Sequence, residues 1–195
     1  MSDTPRVSDP TRIRALTHPL RLELLDVLRD GPATATECAE QTGESVASCS
    51  FHLRMLAKYD FIELAERRGR EKPWRLASPG LDIRPGEDDP ESLQATAGAA
   101  LLYVEHAAES LRASIWAFGG ESREWVDATA VTQHQFWATA AELLEVSETL
   151  ASLTDRFDAR NVDPSLRPEG ARPVRVFAAA HVDVNKEKRM KPSGA

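Results

Sequence analysis

Apolar positions recur at helical spacing through the first sixty residues of this 195-residue chain, alternate briefly, and then return to a long helical stripe. Asp9-Pro10 is a helix start, an acidic N-cap followed by proline at the first helical position. Ile13 and Leu16 give that short helix its apolar side. His18 precedes Pro19, so the first helix ends there and Pro19 opens a second, with Leu20, Leu24, Val27 and Leu28 as its buried stripe and Gly31-Pro32 as its stop. A third, short helix is expected over 34–42, capped by Thr34 or Thr36. After a "TGES" turn, Ser45 caps a fourth helix over about 46–58, in which Val46, Cys49, Leu53 and Leu56 face inward. "FIELAE" at 61–66 and "PWRLA" at 73–77 then alternate as the arms of a hairpin around "RRGREK".

The character changes after residue 77. "SPGLDIRPGEDDPES", 78–92, is rich in Pro, Gly and acid and predicts a linker. Beyond it Leu93, Ala97, Leu101, Val104, Ala108, Leu111, Ile115 and Phe118 are spaced 4, 4, 3, 4, 3, 4 and 3 apart. That is nearly a heptad seam, along roughly 40 Å of helix. Gly119-Gly120 stops it, and "REWVDATAV" at 123–131 predicts an extended segment. Thr132 and Gln135 suggest a capping box for a second long helix, to about 158, with a stripe of Phe136, Ala140, Leu143, Leu144, Leu150, Leu153 and Phe157. "VRVFAAAHV" at 174–182 predicts a strand. The domains expected are therefore a flexible tail at 1–8, a first domain at 9–77, the linker at 78–92, a helical dimerisation and effector domain at 93–184, and a basic flexible tail at 185–195.

Helix, helix, short turn, helix and hairpin make the plan of a winged helix-turn-helix, and the outer face of the fourth helix suits it. With the apolar stripe inside, Ala47, Ser48, Ser50, Phe51 and Arg54 lie outside. Small side chains let a helix sit deep in the major groove, where Ser hydroxyls bond base edges and Phe51 meets a thymine methyl. Arg54 and Lys58 are placed for phosphates, and Arg67, Arg68 and Arg70 at the hairpin tip for a minor groove or its rim. Charge agrees. The chain carries −7 overall, yet 45–77 holds seven basic and four acidic residues, a local +3 on a body of −10. A solvated mixed-charge face is the alternative reading of the same numbers.

"LTHPLRLELLDVL" at 16–28, "TECAEQTGES" at 36–45, "SCSFHLRMLAKYDFIE" at 48–63 and "RRGREKPWRL" at 67–76 resemble the bacterial ArsR-type winged-helix transcriptional regulators. The resemblance covers about 10–77 and is closest around Ser48, Ser50, His52 and Leu53. It implies sequence-specific binding of double-stranded DNA by a homodimer, with His52 either bonding phosphate or packing beside the core. The fold class expected is mainly α (α+β), a winged helix-turn-helix followed by long dimerisation helices and one or two extra strands.

Some members of that family sense metals, typically through a Cys-x-Cys pair in the third helix or paired His and acid ligands on a C-terminal helix. Here Cys38 stands alone in "ECAE", and Cys49 lies on an inner stripe. Both fit small core residues, with a redox pair as the alternative. His106 and Glu109 share one helix face and make half of a metal site, but the matching half is missing; no metal and no cofactor are expected. Tyr103, Trp116, Phe118, Trp125, Phe136 and Trp137 either line a pocket for a small apolar effector or form dimer core. The chain has no phosphate loop, no His-Glu-x-x-His and no Cys-x-x-Cys, and nothing in it suggests an enzyme. With no apolar run near the ~20 residues of a membrane span and no signal-like N-terminus, a soluble cytoplasmic protein is expected. The rival function is a winged-helix interaction module that recruits a protein through the 93–118 helix.

Overall fold

The computed structural model describes residues 6–78, 80–184 and 186. Strand β1 (Arg6–Val7) leads into α1 (Pro10–Arg14), whose first turn is closed by the Asp9 carboxylate accepting from the Arg12 N–H at 2.7 Å. Helix α2 (Pro19–Asp30) starts at its proline and stops at Gly31. In α3 (Ala35–Thr42) the capping box is made by Thr34 and Glu37, each side chain bonding the other's backbone N–H. Gly43 ends that helix at φ 74°, a left-handed conformation that glycine adopts without strain. Ser45 accepts from the Ser48 N–H to cap α4 (Val46–Lys58).

Strands β2 (Ile62–Leu64) and β3 (Trp74–Leu76) pair antiparallel, Ile62 opposite Leu76 and Leu64 opposite Trp74. Ala33 joins them: its N–H bonds the Trp74 carbonyl and its carbonyl accepts the Trp74 N–H, so the α2–α3 connection anchors the wing. The core lies where α1 to α4 converge. Ile13, Leu16, Leu24, Cys38, Cys49, Leu53 and Leu56 are fully buried there. The domain is a mainly α winged helix-turn-helix, as the pattern predicts.

Several expectations need correction. Val46 does not face the core; it is 47% exposed. It is the first residue of α4, and a helical Cβ tilts towards the N-terminus, which here carries Val46 past the packed surface. The 78–92 linker and the last residues of the 1–8 tail are parts of the fold. β4 (Asp82–Ile83) runs parallel to β1, pairing Arg6 with Asp82 and Val7 with Ile83. Ser92 is fully buried, accepts from the Gly86 N–H at 2.8 Å and donates to the Ser8 carbonyl. Val7 is equally buried, so the apolar contact ties this Pro- and Gly-rich stretch to the core. Residues 1–5 and 187–195, and Asn185, which complete the two expected tails, lie outside the described residues.

The other corrections fall in the second half. The long helix is α5 (Pro90–Trp116), capped by Asp89, and a 3-10 turn at Ala117–Gly120 ends it. After it, 123–131 is not extended: α6 (Arg123–Ala128) forms, helped by the Arg123–Asp127 ion pair one turn apart. The next long helix is α7 (Ala140–Ser152), and its capping box is Thr139 with Glu142 rather than Thr132 with Gln135. Both pairs have the right spacing, but an ionised Glu also favours the positive end of the helix dipole. Phe136 therefore lies before the helix. Residues 174–182 form no ladder, and Val174 and Val176 stand exposed with no strand beside them.

Candidate nucleic-acid interface

One flank of α4 is dry and the other is open. Cys49, Leu53 and Leu56 are at 0% exposure, while Ala47, Phe51, Arg54 and Lys58 are exposed and Ser48 and Ser50 are half-buried. Phe51 is 54% exposed, a large apolar ring left out of the core at mid-helix. The Arg54 Nε donates to the Ser50 carbonyl one turn back at 3.1 Å, which steadies its stem along the helix. Lys58 lays its ammonium 5.3 Å over the Tyr59 ring, at the far end of the same flank.

His52 borders both flanks. Its ring meets Phe51 edge-on at 5.1 Å and stacks at 4.2 Å on His18, the N-cap residue of α2. The His18 Nδ1, His52 Nδ1 and Arg21 Nε are buried without a hydrogen-bond partner among the described residues. Burial, reinforced by His18 and the Arg21 guanidinium and opposed by Glu44, holds the His52 pKa below its ordinary value. His52 is thus both packed against the core and adjacent to the open face. Sequence reasoning takes His18 only as the residue before the Pro19 helix start and does not single out Arg21.

In the wing, Arg67 and Arg70 are exposed on either side of Gly69, which turns at φ 65°. Arg68 is exposed too but is tied down, donating to the Pro32 carbonyl at 3.3 Å and lying 3.6 Å from Glu37. It holds the wing against the start of α3. The Thr34 backbone and side chain, then Arg68, keep the Glu37 carboxyl below its usual range, so that contact stays ionic at neutral pH. Across the hairpin Arg75 pairs with Glu63 at 2.7 Å.

The seam residues of α5 point away from the first domain. Leu93, Ala97, Leu101, Val104, Leu111 and Ile115 are exposed, Ala108 and Phe118 half-buried; Leu101 reaches 67%. The opposite face of α5, through Ser92, Ala95 and Ala99, packs on α1. Tyr103 is nearly buried on that side, its phenol pushed up to about 12 by burial. His106 bonds Asp26 of α2 at 2.6 Å, and Arg175 reaches the same carboxylate at 2.7 Å, while Glu109 is exposed. The His106 ring is thus taken up by Asp26 and Arg175, and among the described residues no group of three His, Cys, Asp or Glu is placed to hold a metal ion.

Cys38 and Cys49 are both buried thiols. Burial pushes Cys38 up to about 11, and the Cys49 Sγ sits 3.6 Å from the Thr42 hydroxyl. The aromatic residues of the second half do not gather: Trp116 is 86% exposed, Trp125 lies beneath Arg172 at 4.8 Å, and Trp137 beneath Lys186 at 5.1 Å. Among the described residues no helix is long and apolar enough to cross a membrane.

Residues 16–65, from the end of α1 to the start of the wing, match the family model of a helix-turn-helix domain. No curated protein matches the chain. Among solved structures, the homodimeric winged helix-turn-helix DNA-binding domain (fragment 1–100) of Mb0332 from Mycobacterium bovis, described as a possible ArsR-family transcriptional regulator, is 28% identical. It covers 52% of this chain and 80% of that one, at a TM-score of 0.34. The transcriptional repressor BigR from Xylella fastidiosa is 20% identical over 49% of this chain and 83% of its own, with a TM-score of 0.32. ZitR from Lactococcus lactis, in complex with DNA, is 15% identical over 71% and 74%, with a TM-score of 0.30. The ArsR-type resemblance in the sequence and the helix-turn-helix match fall on the same residues.

Proposed function

We propose, starting from the match of residues 16–65 to the family model of a helix-turn-helix domain, that this chain is a homodimeric, sequence-specific DNA-binding regulator of transcription that represses by occupying an inverted-repeat operator. The observation that carries the reading is the division of α4: Cys49, Leu53 and Leu56 wholly inside, and on the other flank Ala47 and Phe51 exposed with Ser48 and Ser50 half-exposed between them. A helix so bared approaches the floor of the major groove. The Ser48 and Ser50 hydroxyls then meet base edges and Phe51 a thymine methyl. Arg54 and Lys58 grip phosphates, His52 supplies a further N–H at the groove edge, and Arg67 and Arg70 straddle the neighbouring minor groove. Arg68 adds its charge there while bracing the wing.

The exposed α5 seam pairs two subunits, spacing the two α4 helices by about one DNA turn, ~34 Å. A small apolar effector that altered the angle between the long helices would change this spacing and release DNA, in the cytoplasm where the operator lies. The same exposed seam also favours a second reading, an interaction module that recruits a protein partner.

A salt titration of binding to the chain's own promoter fragment separates the two. The regulator reading expects binding that weakens steeply with salt. Phe51→Ala should relax base preference and keep most affinity. Arg67→Ala with Arg70→Ala should weaken all sequences alike and flatten the salt slope by about two units. Absence of any DNA affinity at low salt, with a protein captured through the seam, overturns it.

A further inference from the structure

The second half of the chain has surface contacts of its own but no buried core. Among the described residues from 121 to 184 none is buried, whereas the first domain holds a continuous core. The accessible surface is 14322 Å². A compact monomer of 21.5 kDa exposes about 9,000 Å². The excess, about 5,000 Å² per chain, is more than the roughly 1,000–2,500 Å² per partner that obligate dimers bury, so there is surface to spare for an interface well beyond the ~800 Å² per partner of an ordinary contact.

Two apolar stripes stand within that surface. On α5, the inward residues Ser92, Ala95 and Ala99 lie on one side and the seam on the opposite side, bare to solvent. On α7, Leu143, Val146, Leu150 and Leu153 share one face, the first three half-buried and the last exposed. Helix α5 packs on α1 and α2, and α7 packs extensively on neither α5 nor any other helix. The distal seam from Val104 to Ile115 and the α7 stripe from Leu143 to Leu153 are each about 15 Å long at 1.5 Å per residue.

We propose that α7 is exchanged between two copies of the chain: the α7 stripe of each subunit lies on the distal α5 seam of its partner, while Leu93, Ala97 and Leu101 meet their own copies nearer the twofold axis. A second copy is the occupant because one symmetry operation covers both stripes twice, with lengths that already match. An unrelated partner would have to cover two separate stripes per chain. The exchange also continues the seam on which the homodimer of the previous section rests. It presupposes that homodimer but not DNA binding. Its consequence is that the second half acquires its core only on association, so dimer formation and the folding of 121–184 are one event.

Co-expression of two differently tagged full-length chains tests this, one carrying Leu111→Cys and the other Val146→Cys, followed by mild oxidation. The expected result is a covalent product containing both tags, absent when either variant is oxidised alone. A double Leu111→Cys, Val146→Cys chain that closes its own disulfide without joining a second chain overturns the exchange, and so does a non-covalent dimer that gives no mixed-tag product. Light scattering on Leu150→Asp is the second readout. Its mass should fall from about twice 21.5 kDa towards 21.5 kDa while the first domain keeps its cooperative unfolding transition; an unchanged dimer overturns the proposal. A dimer that shifts promoter DNA but does not cross-link sinks the exchange and spares the regulator. A cross-linked dimer that ignores DNA does the reverse.

Discussion

The two halves of this chain use similar helices to opposite ends. Helices α2 and α7 are of nearly equal length and each carries an apolar stripe. Leu20, Leu22, Leu24, Leu25 and Leu28 of α2 are all buried, because α3, α4, β3 and α5 close around them. No residue of α7 is buried. Amphipathic pattern sets up a helix in both places, but burial depends on whether a second surface arrives within the same chain. The first domain is a rigid carrier for one bared flank, and the second half is a surface in want of a partner.

The sharpest way to break this contrast is to cut into each half equally. Leu53→Ala removes a fully buried side chain of α4 and should cost about 2–5 kcal/mol in urea unfolding. Val174→Ala, at an exposed position of the second half, should stay within about 0.5 kcal/mol. Equal losses would mean that the second half is as tightly packed as the first. Next in size is Ser92→Ala. It leaves the Gly86 N–H and the Ser8 carbonyl without their buried partner, so a loss of about 1–3 kcal/mol is expected. A negligible loss would restore 78–92 as a mere tether.

A smaller effect is the acid sensitivity of the first domain. His52 is held below its ordinary pKa when folded and returns to about 6.5 when unfolded. The unfolded chain therefore binds the extra proton, and the stabilising contribution is present above about pH 6.5 and declines as pH falls below it. The urea midpoint should drop between pH 7.5 and pH 5.5, and by less in His52→Gln; an equal drop in both would remove His52 as the cause. The smallest effect is chemical. The Cys38 thiol, pushed up to about 11, stays protonated at pH 8. Iodoacetamide should leave it unlabelled in the native protein and label it after unfolding, and rapid native labelling would show that the core opens readily.

Where the sequence could be read, local chemistry was in command. Asp9, Thr34 and Ser45 each cap the helix expected of them, and Pro19 starts α2, since a cap is satisfied by residues three positions away. The open flank of α4 was legible for the same reason: four turns of helix, with the stripe of Cys49, Leu53 and Leu56, leave only one side for Ser48, Ser50 and Phe51. Misreadings came where two local signals competed. Thr132 with Gln135 and Thr139 with Glu142 have equal spacing, and only the second is used. The segment 123–131, expected to be extended, holds a helix with an Arg123–Asp127 pair. The Pro-rich stretch at 78–92 reads as a linker because nothing local reveals that Ile83 pairs with Val7 and Ser92 bonds Ser8.

By itself the sequence determined the helical periods, the caps, the glycine-tipped wing and the charge excess around it, because each depends on neighbours within a few positions. Only the tertiary structure decided that Arg68 would brace the wing rather than reach outwards, that His18 would stack on His52, that Ala33 would complete the wing sheet, and that the α5 seam would stay bare. Those outcomes join residues tens of positions apart. They depend on which surfaces meet in space, and hydrophobic periodicity states that a face must be covered without stating by what.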